Sequence, residues 1–164
     1  MTKAIIARPL TREVFAPFGE VIEKAGSETR LINNGMCTRY HDLATVEIIG
    51  EGGRPSINIF AGKPYIMPLM LEMVERHPLG SQAFIPMHDR PFLVVVCPDE
   101  EGRPGTPSAF ITKPGQGVSF PPGQWHGVLT PLDEPGDFVV VDRAGDGNNL
   151  EEYYFDEPWR IELP

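Results

Sequence analysis

Two cysteines, Cys37 and Cys97, are all that 164 residues contain, and they form neither a C-x-x-C pair nor the regularly spaced set of a disulfide scaffold. Reduced thiols and a cytoplasmic setting are the resulting expectation. Long apolar runs are lacking too. The longest blocks are of the FLVVVC (92–97) and IMPLML (66–71) kind, far short of the roughly 18 residues that a membrane span requires. The opening MTKAIIARPLTREVFAPFGE has no apolar stretch of about 7–15 residues leading to small ones, so it does not read as an export signal. A soluble chain without a membrane partner is expected. Basic residues are in deficit, 14 Lys and Arg against 23 Asp and Glu, for a formal charge of −9. That field repels phosphate backbones, and no basic block offers nucleic acid a footprint. An anionic small molecule meets the same repulsion, so a site for one must supply its own local cations or a metal.

Uninterrupted helical stretches are equally scarce. Eighteen prolines and 17 glycines are spread over the whole length and break the chain every few residues. One short helix is expected at 11–15, with Thr11 as its N-cap and Pro17 and Gly19 ending it. Eight runs rich in Val, Ile and Phe and bounded by Pro, Gly or Asp read as strands: 56–60, 66–76, 82–87, 92–97, 108–112, 117–120, 126–130 and 137–142. Short strands at even spacing, with turn signals between them, predict an all-β antiparallel sandwich or barrel. The length suits one domain over residues 1–164. The segment 98–107 reads as an exposed loop, and 145–164 as an acidic tail whose aromatics (Tyr153, Tyr154, Phe155, Trp159) pack on a partner or on a barrel rim.

Period-two alternation in the 66–76 run puts Leu69, Leu71, Met73 and Glu75 on one face, and His77 two residues further on the same side. A carboxylate and an imidazole on an otherwise apolar face can converge inside a barrel. The alternative is a Glu75–Arg76 ion pair and a hydrogen-bonded core histidine. Downstream, Gly115, Pro121, Gly123 and His126 stand at the spacing of the second cupin motif, G-x5-P-x-G-x2-H-x3-N, with Thr130 in the last place. Tight reversals at Gly115 and at 121–123 would deliver His126 to the start of a strand facing inward. The first cupin motif is partly present: Glu75, His77 and Gln82 occupy its ligand positions, with Leu69 and Asp89 where its framing glycines belong. One Glu, two His and one Gln make a divalent-metal set in which imidazole favours later first-row ions such as nickel or zinc. Arg39, Tyr40, His41 and Asp42 crowd into the 33–43 run and offer a guanidinium for a carboxylate together with acid–base groups. Lys63 and Lys113, beside prolines at turns, read as solvated. No nucleophile elbow, Walker loop or dinucleotide fingerprint occurs.

Taken together, INNGMCTRYHDLA (32–44), ERHPLGSQAFIPM (75–87), AFITKPGQGVSFPPGQWHG (109–127) and DFVVVDR (137–143) resemble the bacterial ureidoglycolate lyases over nearly the whole chain. The resemblance implies a cupin-type double-stranded β-helix (a jelly-roll barrel) with one or two short peripheral helices. It further implies a homodimer, a divalent cofactor reported for the family as nickel, and cleavage of (S)-ureidoglycolate to glyoxylate and urea in allantoin breakdown. On that reading Glu75, His77 and His126 are catalytic, and the same three with Gln82 hold the metal. Arg39, His41, Gln82 and Arg143 bind the ureido acid. Two other classes remain open: a non-catalytic cupin that binds a small carboxylic acid, and another metal-dependent cupin enzyme, an isomerase or dioxygenase.

Overall fold

The computed structural model describes residues 3–164. Its frame is two β-sheets facing each other. The larger runs, strand by strand, Ala4–Ile6, Glu151–Glu162, Leu69–Arg76, Trp125–His126, Phe92–Cys97, Ser108–Ile111 and Arg8–Pro9, with Thr130–Pro131 also on Phe92–Cys97. The smaller runs Glu20–Ile22, Gly117–Phe120, Gln82–Pro86, Gly136–Ala144 and Arg54–Gly62. Every pairing is antiparallel except those of the two N-terminal strands. These strands, separated by Ala7 alone, pair with opposite edges of the larger sheet, so that residues 4–9 nearly close it into a barrel. The architecture is all-β and cupin-like, as the sequence leads one to expect.

The run Phe92–Cys97 explains why the barrel has two cores. All six residues are buried, because side chains alternate across a strand covered on both faces. Phe92, Val94 and Val96 join Phe15, Phe84, Phe110, Phe120 and Phe138 between the two sheets. Leu93, Val95 and Cys97 join Leu71, Val74, Trp125 and Ile161 on the other side. Each fully buried apolar side chain of this kind contributes about 1.5–3 kcal/mol. Thr11 caps the helix Arg12–Phe15 by accepting from the Val14 amide, and this brace delivers Phe15 to the first core.

Several elements depart from the sequence reading. The 145–164 segment does more than pack on a rim: Glu151–Glu162 is a strand of the larger sheet, paired along Leu69–Arg76. The 98–107 loop contains a small hairpin, Asp99–Glu100 with Arg103–Pro104. Most of the 33–43 run, up to Tyr40, belongs to a second hairpin, Thr29–Ile32 with Cys37–Tyr40, which pairs with neither large sheet. The 126–130 run is split into Trp125–His126 and Thr130–Pro131. Finally, the 66–76 run does not alternate throughout. Its strand begins at Leu69, after Pro68, which has no N–H to give a ladder. Leu71 and Val74, three residues apart, lie in the same core, so the alternation slips between them, where the register with Glu151–Glu162 jumps from Tyr154 to Trp159. Leu69 and Leu71 therefore share the face of Val74, not that of Glu75.

Candidate metal centre

Main-chain pairing assembles the site. Trp125–His126 lies between Phe92–Cys97 and Leu69–Arg76, with His126 directly opposite Glu75, and directly opposed residues place their side chains on one face. Gly123, at a φ of 78° that side chains rarely adopt, turns the chain into this strand, and its amide donates to the His77 carbonyl at 2.9 Å. Arg76 points the other way. Its guanidinium pairs with Glu151 at 2.6 Å and Asp99 at 2.9 Å and lies over the Trp125 ring. The Trp125 indole donates to the same Asp99, whose carboxyl this bond, together with Gly102 and Arg76, holds below its ordinary range. Arg76 thus pairs outward rather than with Glu75, and this fixes the rotation that leaves Glu75 and His77 on the inner side.

Candidate ligand atoms of Glu75, His77 and His126 lie within 4.8 Å of one another. Glu75 Oε1 is 3.7 Å from His77 Nε2, and the two imidazole rings are 5.3 Å apart. Each ring is held by a backbone carbonyl at Nδ1: Asn149 O for His77 at 2.8 Å, Gly127 O for His126 at 2.9 Å. A carbonyl only accepts, so Nδ1 carries the hydrogen in both rings, and in the neutral imidazole Nε2 is the nitrogen that keeps a lone pair. Both Nε2 atoms are buried and without a protein partner, as is Gln82 Oε1. Gln82 lines the same small hollow as His77, Phe120, Gln124 and His126. Two orphaned imidazole nitrogens and a carboxylate within 4.8 Å of one another, with the orphaned Gln82 oxygen in a residue lining the same hollow as the imidazoles, fit a divalent cation, and the carbonyl-held imidazoles are how metal-binding histidines are ordinarily oriented.

The electrostatics agree. His126 is 1% exposed and stacks on Phe120 at 4.3 Å, nearly parallel. Burial, and to a lesser degree the neighbouring His77, push its pKa down to about 3 against the pull of the Gly127 carbonyl. The ring is therefore neutral at physiological pH. Glu75 moves upward, chiefly through burial and with help from Glu152 across the strand pair, while His77 pulls it down. Beyond Glu75 lies a cavity of about 610 Å³, lined also by Phe60, Lys63, Tyr65, Phe84 and Leu129.

Other residues singled out from sequence stand elsewhere. Arg39 is exposed on the separate hairpin, and His41 follows at its base with Nδ1 buried and unpaired; neither lines the hollow at His77 and His126. Arg143 is buried, and its guanidinium donates to the carbonyls of Ile49 at 2.8 Å, Gly145 at 3.4 Å and Asp146 at 2.8 Å. Those bonds make it a brace for the loops at 49–53 and 145–147 and take up three of its five N–H donors. The sequence reading passed over Asn149, whose carbonyl orients His77 and whose side chain accepts from the Leu79 amide. It also missed Asp142, which accepts from Gln82. Neither has a sequence signal, since both act through contacts some 60–72 residues distant in the chain.

A family model described as ureidoglycolate lyase matches residues 2–162. A "ureidoglycolate lyase" of Chelativorans sp. (strain BNC1) is 60% identical over 99% of this chain and 98% of that protein. One from Mesorhizobium japonicum is 59% identical over 98% of each, and one from Agrobacterium fabrum 51% identical over 100% and 99%. Among solved structures, a dTDP sugar isomerase from Desulfovibrio desulfuricans G20 superposes with a TM-score of 0.50 over 85% of this chain and 87% of its own, at 16% identity. That likeness speaks for the fold alone.

Proposed function

Because this chain belongs to the ureidoglycolate lyase family, we propose that it cleaves (S)-ureidoglycolate to glyoxylate and urea, with Glu75, His77, Gln82 and His126 as its reaction centre. The observation that carries the assignment of the centre is the pair of Nε2 lone pairs, each fixed by a backbone carbonyl and each without a protein partner, beside a carboxylate. His77, Gln82 and His126 would hold a divalent cation, for which nickel is the candidate. When bound, it supplies the positive charge this acidic protein otherwise lacks and makes an adjacent hydroxyl more acidic.

The reaction needs one proton moved. Ureidoglycolate carries its hydroxyl and its urea nitrogen on one carbon. Loss of the hydroxyl proton lets the C–O bond become the aldehyde carbonyl while the C–N bond breaks, and urea leaves as its nitrogen takes up a proton. Glu75 would make both transfers, a role supported by its lining the larger cavity and by a raised pKa that brings it nearer the working pH at which a carboxyl can take a proton and return it. The substrate lies in that cavity with Phe60 and Leu129 against its uncharged portion and Lys63 near its carboxylate. Arg39 and His41 could enter the site only from the separate hairpin that carries them.

The protein acts as a cytoplasmic homodimer in purine catabolism by way of allantoin. Support for association comes from exposed apolar side chains on the outer face of the smaller sheet, where Ile57, Ile59 and Ile85 flank Val139 and Val141 in register, and on the hairpin, at Leu31 and Met36. Within the described residues no helix is long and apolar enough to cross a membrane. Incubation with racemic ureidoglycolate tests the activity. Urea and glyoxylate should appear in equal amounts with half the racemate consumed, and release of ammonia in place of urea, or no release, rejects the reading.

A further inference from the structure

Gln82 can serve the centre only if its carbonyl oxygen, rather than its NH2 group, faces His77 and His126. A side-chain amide is nearly symmetric in shape, so packing alone does not choose between the two ends. We infer that Asp142 makes the choice and is a positioning residue for the metal centre.

Three inner-facing polar side chains run across three neighbouring strands of the smaller sheet. Asn58 on Arg54–Gly62 donates through Nδ2 to Asp142 Oδ1 at 3.0 Å and to the Val140 carbonyl at 3.4 Å. Asp142 on Gly136–Ala144 accepts through its other oxygen, Oδ2, from Gln82 Nε2 at 3.4 Å. Gln82, on Gln82–Pro86, sits beside Asp142 because Val141 and Ala83 are opposed. An ionised carboxylate can only accept, so the end of Gln82 that meets Asp142 must be its NH2. The oxygen is thereby turned to the other side, where it is buried and without a protein partner. Asn58 completes the arrangement. Its NH2, tied to a backbone carbonyl as well, can present only hydrogens to Asp142. Polarity is thus passed in one direction from the Val140 carbonyl through Asn58 and Asp142 to Gln82, and the chain ends in an unpartnered acceptor on the residue that shares a hollow with the two imidazoles.

The inference rests on reading the cluster as a metal centre, and its test separates the two. In Asp142→Asn the new amide must keep its oxygen toward the Asn58 NH2 and offer its own NH2 to Gln82. Gln82 is then inverted and shows its NH2 to the centre. Calorimetric titration of chelator-stripped protein with Ni2+ and with Zn2+ should show affinity falling by about 10- to 100-fold in D142N, the range seen when an orienting partner is lost. The double variant D142N/Q82E should recover most of that loss, since either carboxylate oxygen of a glutamate accepts from the NH2 introduced at position 142 and the other faces the metal. A merely structural role for Asp142 would not be rescued this way. In the metal-free proteins, the Gln82 side-chain NH2 signals, identified by their loss in Q82E, should shift strongly between wild type and D142N. Folded D142N that binds metal as wild type does, a double variant no tighter than the single one, or unmoved amide signals each overturn the inference. Wild type that takes up neither ion rejects the metal centre instead, and the amide signals still decide the orientation of Gln82.

Discussion

Replacing His126 by Phe in the metal-free protein should flatten the acid limb of its stability. The ring is fully buried against Phe120, and its pKa is depressed from an ordinary value near 6.5 to about 3. Between those values the unfolded chain binds a proton at this position that the folded chain refuses, so stability falls as pH drops below 6.5 and the loss is complete near pH 3. At pH 5 the difference is about 1.5 pK units, or about 2 kcal/mol, whereas at pH 7.5 it is close to nil. Phe is similar in size and can stack on Phe120 in the same way. It forfeits the bond to Gly127 O but also removes the unpartnered Nε2, and these changes oppose each other at about 1–3 kcal/mol apiece, so the absolute stability at pH 7.5 is not the readout. The readout is the difference in pH dependence. Thermal unfolding of chelator-treated wild type and H126F at pH 7.5 and pH 5.0 should show wild type losing some 4–8 °C more than the variant over that interval. The carboxylates that titrate in the same range do so in both proteins and cancel. Parallel losses in the two proteins would mean that His126 protonates freely in the native state, and the buried, neutral imidazole described above would be wrong.

Glu75→Gln should lower turnover at least about 100-fold, within the range for removing a general base, as measured by urea and glyoxylate release. Since the folded-state pKa of Glu75 is raised, its contribution to stability is lost as pH rises through that value, and E75Q should melt higher than wild type at pH 8. Arg143→Lys should destabilise the protein by about 2–4 kcal/mol, because a buried guanidinium bonded to three carbonyls is replaced by a compact ammonium. If bracing is its whole role, the KM of the fraction that stays folded should be unchanged, whereas a selectively raised KM would put Arg143 on the substrate. Ile59→Lys, on the exposed outer face of the smaller sheet, should halve the mass measured by light scattering at micromolar concentration while leaving the circular-dichroism spectrum intact.

The alternation of small β-rich runs with Pro and Gly was enough to read an all-β barrel, because strands buried on one or both faces carry their periodicity in the chain itself. The FLVVVC run is the clearest instance, since its six positions feed two cores by turns. The convergence of Glu75, His77 and His126 was also legible, although one premise failed: Leu69 and Leu71 do not share Glu75's face, and the inference held only because the slip in alternation falls before Val74. Glu151–Glu162 was unreadable as a strand because its acidic residues and Pro158 mask the pattern. Its place is decided by pairing with Leu69–Arg76, some 80 residues away, and by Arg76, which finds Glu151 there. Asn149 and Asp142 escaped notice for a related reason. A carbonyl that fixes a tautomer or a carboxylate that fixes an amide has no motif of its own, and nothing in DFVVVDR tells that three of the Arg143 N–H donors bond backbone carbonyls.

Residues 4–9, which pair with Glu151–Glu162 on one side and with Ser108–Ile111 on the other, bear on how the protein must be handled. Without them both outermost strands of the larger sheet would present bare rows of amides and carbonyls, the surface on which neighbouring chains add strands. Trimming this segment, or displacing it with a bulky N-terminal fusion, therefore threatens solubility before it threatens chemistry. The product would be ordered aggregates joined edge to edge rather than an inactive monomer. Fusions are better carried at the C-terminal end, where Leu163 and Pro164 lie outside the ladder and Leu163 is already exposed.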